Sequence, residues 1–162
     1  NSGLTYTFLR NNWNTENYLA GLSHAIESGT LYGAANDGKI SSASRIDYAE
    51  AAATVLVSDT HENRIYELAG STAFTLQDLA DAISEVSGQA VQYKNLTSEQ
   101  YHQGLVQAGL PTGLVDVIVD ADVKTQTGAM FSDSKDLEKL IGRKTTSIQE
   151  EIKNTLNTSS SV

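Results

Sequence analysis

A strand that runs straight into a polar turn within the first 17 residues constrains this chain more than any other feature. Residues 4–10 alternate and are rich in Thr, Tyr and Phe, the composition of a packed strand. They lead directly into Asn11, Asn12, Trp13, Glu16 and Asn17. In open α/β proteins the loop just beyond a strand's carboxyl end is where ligands bind. A strand this apolar at residue 4 calls for neighbours on both sides, so the sequence reads as the carboxy-terminal part of a larger ligand-binding protein.

Helical spacing follows, with Tyr18, Leu19, Leu22 and Ile26 on one face and Gly29 as the stop. Segments 30–34 and 39–43 flank Asn36-Asp37-Gly38 and predict a hairpin or paired bend. Asp47-Tyr48-Ala49-Glu50 opens an alanine-rich helix, with Ala49, Ala52, Ala53 and Leu56 as a narrow face for close packing. Residues 64–69 and 90–96 read as further strands. Thr75-Leu76-Gln77-Asp78, Thr97-Ser98-Glu99-Gln100 and Ser147-Ile148-Gln149-Glu150 are helix-starting boxes, and Gly88 and Gly142 are stops. Helices are also predicted over 114–123 and 133–141. Strands alternate with helices through the first ~100 residues and helices dominate afterwards, which predicts an α/β fold with a helical satellite.

A chain of 162 residues with 40% apolar residues can bury a core, and a net charge of −9 excludes a sequence-independent nucleic-acid binder. There is no cysteine, which removes disulfides and thiolate metal sites and fits a cytoplasmic protein. No apolar run approaches the ~20 residues of a membrane span, and no secretory signal is legible. The triplets at Asn95 and Asn157 are chance matches to a glycosylation acceptor.

Gly33-Ala-Ala-Asn-Asp-Gly38-Lys39 copies most of a phosphate-binding loop, but Ile40 stands where a hydroxyl must bind magnesium, and no helix pattern follows. It reads as a turn. His24, His61 and His102 share no ligand spacing and read as surface residues, and no metal site is predicted. Asp120 and Asp122, two apart on a helix, point away from each other and read as a solvated face. In the turn after the first strand, Asn11 and Asn12 offer amide hydrogen bonds and Trp13 a flat wall. Two readings stay open there: an N-cap beside a partly buried tryptophan, or the rim of a ligand crevice.

Leu9-Arg10-Asn11-Asn12-Trp13 and Glu16-Asn17-Tyr18-Leu19 resemble the NmrA-like branch of the atypical short-chain dehydrogenases, in particular the bacterial type 2 NAD(P)H:quinone oxidoreductases. The likeness continues through Ser44-Arg45-Ile46-Asp47-Tyr48-Ala49, Tyr66-Glu67-Leu68-Ala69-Gly70, Gly109-Leu110-Pro111 and Leu140-Ile141-Gly142, nearly the whole chain. It implies the carboxy-terminal part of an NAD(P)-binding Rossmann-like fold, with a small α/β substrate lobe and terminal helices, over residues 1–162. It implies hydride transfer from NADPH or NADH to a quinone without flavin or metal. Carried over by position, Asn11, Asn12, Trp13, Asn14, Thr15 and Glu16 match the loop along the nicotinamide, and Trp13, Asn17 and Tyr48 line the quinone pocket.

The family's glycine-rich phosphate-binding fingerprint is not in this sequence, so the isolated chain is expected to be inactive. The competing expectation is a dinucleotide-sensing regulator that binds cofactor without turnover. A first strand with a free edge also predicts self-association, giving a homo-oligomer of the isolated chain.

Overall fold

The computed structural model describes residues 3–159. Its elements run β1 (Thr7–Asn11), α1 (Thr15–Leu19), α2 (Leu22–Ser28), β2 (Thr30–Gly33), α3 (Arg45–Leu56), β3 (Arg64–Leu68), α4 (Leu76–Ser87), β4 (Gln92–Asn95), α5 (Ser98–Gln107), α6 (Thr112–Thr125), α7 (Asp136–Ile141) and α8 (Ile148–Ser159).

The strands form two parallel pairs. β1 lies beside β3 with Leu9 opposite Tyr66, and β2 lies beside β4 with Leu31 opposite Tyr93. The expected hairpin is therefore corrected. Its turn exists, closed by the Gly38 N–H on the Ala35 carbonyl at 3.0 Å. But β2 is taken up by β4, while Ile40 bridges antiparallel to Phe74. A turn signal says where a chain reverses, and the partner comes from about sixty residues further on, where sequence proximity gives no guide.

The three boxes form as read. Thr75 and Asp78, Thr97 and Gln100, and Ser147 and Glu150 exchange side-chain-to-backbone hydrogen bonds. Each satisfies N–H groups that a helix start leaves without partners, for about 1 kcal/mol apiece. Gly29, Gly88 and Gly142 end their helices in the left-handed conformation. The first predicted helix is two short ones, divided around Ala20 and Gly21, because glycine is a poor interior helix residue.

α3 corrects the reading of its face. Ser44, not Asp47, caps it, and the buried residues are Asp47, Tyr48 and Ala51, whereas Ala49, Ala53 and Leu56 are exposed. Asp47 can be buried because Arg143 and Thr146 neutralise and hydrogen-bond it. Two cores result. One joins Leu22, Ile40, Leu79, Ile83 and Ile152 between α2, α4 and α8, and the other joins Tyr48, Leu68 and Leu137 where α3 and α7 pack on the β1–β3 pair. α5 and α6 pair with each other. β1 has β3 as its single partner among the described residues, and Phe8 and Ile65 are more than half exposed. No helix of the described residues is long and apolar enough to cross a membrane.

Candidate functional site

The site grows out of the carboxyl end of β1. The Asn12 N–H continues the sheet by donating to the Leu68 carbonyl at 2.9 Å. The Asn12 side chain then turns the chain: its Oδ1 accepts the Trp13 N–H at 2.7 Å, and its Nδ2 donates to the Met130 carbonyl at 3.3 Å. The Trp13 carbonyl receives the Ala43 N–H and the Tyr48 hydroxyl, each at 3.2 Å. Thr15 is fixed by the Ala43 carbonyl at 3.0 Å and the Ser42 hydroxyl at 2.9 Å. Glu16 Oε1 accepts the Arg45 N–H at 2.8 Å. A loop tied at so many points holds its remaining side chains in fixed directions.

Trp13 and Asn17 are directed into a cavity of about 650 Å³. Its wall is mostly apolar, including Leu31, Leu76, Leu105, Leu110 and Ile118, with Tyr18, Tyr101 and Asp122 as polar groups and His24 alongside. Asp122 is 4% exposed, so the solvated reading of that residue is corrected. Asp120, two positions earlier, is exposed and pairs with Lys124 at 2.7 Å, so the two aspartates do point apart as their spacing requires. Burial pushes the Asp122 carboxyl up to about 6, partly opposed by the Ala34 N–H that donates to Oδ2 at 2.8 Å. Burial, and then the charge of Asp122, raise the Tyr18 and Tyr101 hydroxyls.

The sequence did carry a signal for Asp122. Val115, Val119, Asp122 and Thr125 are all buried at helical spacing on α6, so the aspartate occupies a core position of an apolar stripe. Tyr18 and Tyr101 lie in ordinary helical patterns and carried none.

The other candidates divide. Tyr48 does not line this cavity; it lies behind the loop and pins the Trp13 carbonyl. Asn12, Thr15 and Glu16 spend side-chain atoms on holding the loop, although Glu16 Oε2 is buried with no hydrogen-bond partner. The Asn11 and Asn14 side-chain amides make no hydrogen bond among the described residues, leaving both available beside Trp13. The segment resembling a phosphate loop is closed to an anion: the Ala34 N–H is taken by the Asp122 carboxylate, and the Asn36 N–H by Asn95 Oδ1 at 2.9 Å.

No family model matches the chain. It is 48% identical over 156 residues to quinone oxidoreductase 2 of Escherichia coli (strain K12), covering 96% of this chain and 54% of that protein. It is 29% identical over 100 residues to an NmrA-like family domain-containing oxidoreductase of Aspergillus flavus, covering 62% of this chain and 32% of that one. The crystal structure of the NADPH-dependent quinone oxidoreductase of Escherichia coli complexed with NADPH matches with a TM-score of 0.93 at 48% identity, over 96% of this chain and 55% of that one. Citrobacter sp. triphenylmethane reductase complexed with NADP(H) matches with a TM-score of 0.89 at 35% identity, over 93% of this chain and 53% of that one. The chain thus spans about half the length of these matches to solved structures.

Proposed function

We propose that this chain belongs to the NmrA-like oxidoreductases and builds the substrate side of an NAD(P)H-dependent quinone oxidoreductase. The observation that carries the reading is the placement of Trp13 and Asn17 on a large apolar cavity just past the carboxyl end of a parallel strand. A planar, largely apolar ring fits such a wall, and a tryptophan excludes water from its face. The relatives named above support it, since one is a quinone oxidoreductase and was solved with NADPH.

The residues present suit one end of the cofactor. The unpartnered amides of Asn11 and Asn14 can hydrogen-bond a carboxamide, and Trp13 can lie against a nicotinamide ring. No glycine-rich strand–loop–helix is present among the described residues to hold the phosphates. When bound, NADPH or NADH supplies the hydride. The loop's task is to hold the acceptor ring and keep water away, and its many hydrogen bonds keep that geometry fixed. The reading carries a cytoplasmic location with it, where such cofactors are kept reduced.

In the full-length gene product, added benzoquinone is expected to accelerate NADPH or NADH oxidation, and Trp13→Ala to raise the KM for benzoquinone roughly 10- to 100-fold, the loss of about 1.5–3 kcal/mol of aromatic contact. Tight cofactor binding with no quinone-dependent turnover would instead favour a sensor. For the isolated 162-residue chain, the exposed Phe8 and Ile65 beside the unpaired edge of β1 support self-association. Sedimentation velocity should show concentration-dependent dimers or larger species, and a sharp monomer at high concentration would remove this part of the reading.

A further inference from the structure

Reducing a quinone to a hydroquinone consumes a proton as well as a hydride, and an apolar cavity is a poor place to find one. The wall that faces the ring must either provide the proton or admit water to provide it. Among the described residues that line the cavity, the titratable groups are Tyr18, Tyr32, Tyr101, His24 and Asp122. Tyr32 and His24 are exposed, and the protons of Tyr18 and Tyr101 are held more tightly than usual.

Asp122 is different. The Ala34 N–H engages Oδ2, whereas Oδ1 has no hydrogen-bond partner among the described residues. The approach is close enough that a Cβ on residue 33 would sit 3.0 Å from Oδ2 and 2.5 Å from Leu76 Cδ1, so Gly33 is needed for the carboxyl to reach its place. The groups that face it are Tyr18 from α1, Tyr93 from β4, Tyr101 from α5 and the Ala34 amide after β2; on α6 itself, Lys124 and Asp120 are exposed and paired with each other. No cation among these facing groups neutralises it, so burial shifts the carboxyl toward its protonated form. Nearby, Tyr18 Oη is buried with no hydrogen-bond partner on the same wall. Once protonated, the carboxyl joins the orphan hydroxyl as a second donor, and what satisfies both donors on the wall of an apolar cavity is an acceptor oxygen.

We propose that Asp122 is the catalytic acid of quinone reduction, giving its proton from Oδ1 to the ring oxygen, with the Tyr18 hydroxyl donating a hydrogen bond to that oxygen. This inference rests on the quinone reading. As one quinone oxygen takes a hydride from the reduced nicotinamide, the ring electrons shift so that the π pair of the opposite carbonyl moves onto its oxygen, and that oxygen bonds the proton released by Asp122. The Asp122 carboxylate regains a proton from solvent once the hydroquinone leaves. The net change is one hydride and one proton added to the quinone. A carboxyl near 6 is about one-tenth protonated at pH 7 in the empty cavity, and a ring that displaces the remaining water raises that fraction.

The test uses the full-length gene product. Asp122→Asn is expected to lower kcat for benzoquinone about 10²-fold or more and to abolish the alkaline fall of the wild-type pH profile, with Asp122→Glu restoring part of both. A second reading needs no turnover. Calorimetric titration with benzoquinone in buffers of different ionisation enthalpy should show proton uptake by the wild type near pH 7 and none by Asp122→Asn. Saturable quenching of the tryptophan emission that a Trp13→Phe control loses reports that the variant still binds. An Asp122→Asn protein that keeps kcat and the alkaline limb within about twofold overturns the role of Asp122 while leaving the quinone reading intact. A wild type without proton uptake on binding overturns it even if the variants fail to fold. A wild type that neither binds nor reduces benzoquinone removes the quinone reading itself, and the acid role with it.

Discussion

Gly70→Ala is expected to cost about 3 kcal/mol or more of stability, or to prevent folding, from the addition of one methyl group. Gly70 is buried just past the end of β3, where its N–H donates to the Ser41 carbonyl at 2.9 Å. A Cβ there would lie 2.1 Å from the Ser42 carbonyl oxygen and 3.1 Å from its carbon. The obstacle is backbone, which cannot rotate aside as a side chain does, and the residue has no unusual φ, so the cost is purely steric. The effect reaches the site as well. Ser42 holds Thr15, and the next residue, Ala43, holds both Trp13 and Thr15, so pushing residues 41–43 outward releases the loop. Denaturant unfolding of the wild type and the variant measures the cost, and a difference below about 0.5 kcal/mol would contradict it.

The same loop shows what a sequence can and cannot disclose. Helix starts and stops were legible because their chemistry is local: a Thr, a Ser or a left-handed Gly acts on groups three or four residues away, as at Thr75, Thr97, Ser147 and Gly88. The α/β class was legible for the same reason, from the alternation of such segments. Pairing was not. The partner of β2 is β4, and nothing in residues 30–33 points to residues 92–95. Buried charge was hidden for a related reason. Asp47 and Asp122 look like surface residues until Arg143 or the Ala34 amide is placed beside them, and both of those come from 88 or more positions away.

At the site, Trp13 and Asn17 were legible as a pair flanking one turn, and the structure puts both on one cavity. The polar part of its wall was not, since Tyr18, Tyr101 and Asp122 come from three helices that only the folded chain brings together. A core-facing polar residue in an apolar stripe is the pattern that discloses such a group. Val115, Val119 and Asp122 show it at helical spacing on α6.

Arg143→Ala is expected to lower stability by about 2–3 kcal/mol and the melting temperature by about 5–10 °C. The Asp47 side chain is fully buried, and Arg143 Nη2 reaches its Oδ1 at 2.7 Å while also binding Glu50. Removing the guanidinium leaves a carboxylate inside the protein with only the Thr146 N–H at 2.8 Å and its hydroxyl at 3.2 Å. Losing one partner of a fully buried pair costs about 3–5 kcal/mol, but the Arg143 side chain is 43% exposed, so water can enter its place and the lower range applies. If the cost comes from the abandoned charge, it must depend on Asp47. Arg143→Ala combined with Asp47→Asn should therefore lose less than the sum of the single changes, by at least about 1 kcal/mol. Additive losses would mean that Arg143 contributes packing alone. Asp47 is followed on α3 by Tyr48, whose hydroxyl holds the Trp13 carbonyl. A first turn of α3 that loses its anchor loosens that hold, so the Trp13 emission of Arg143→Ala should shift toward the red below its melting temperature.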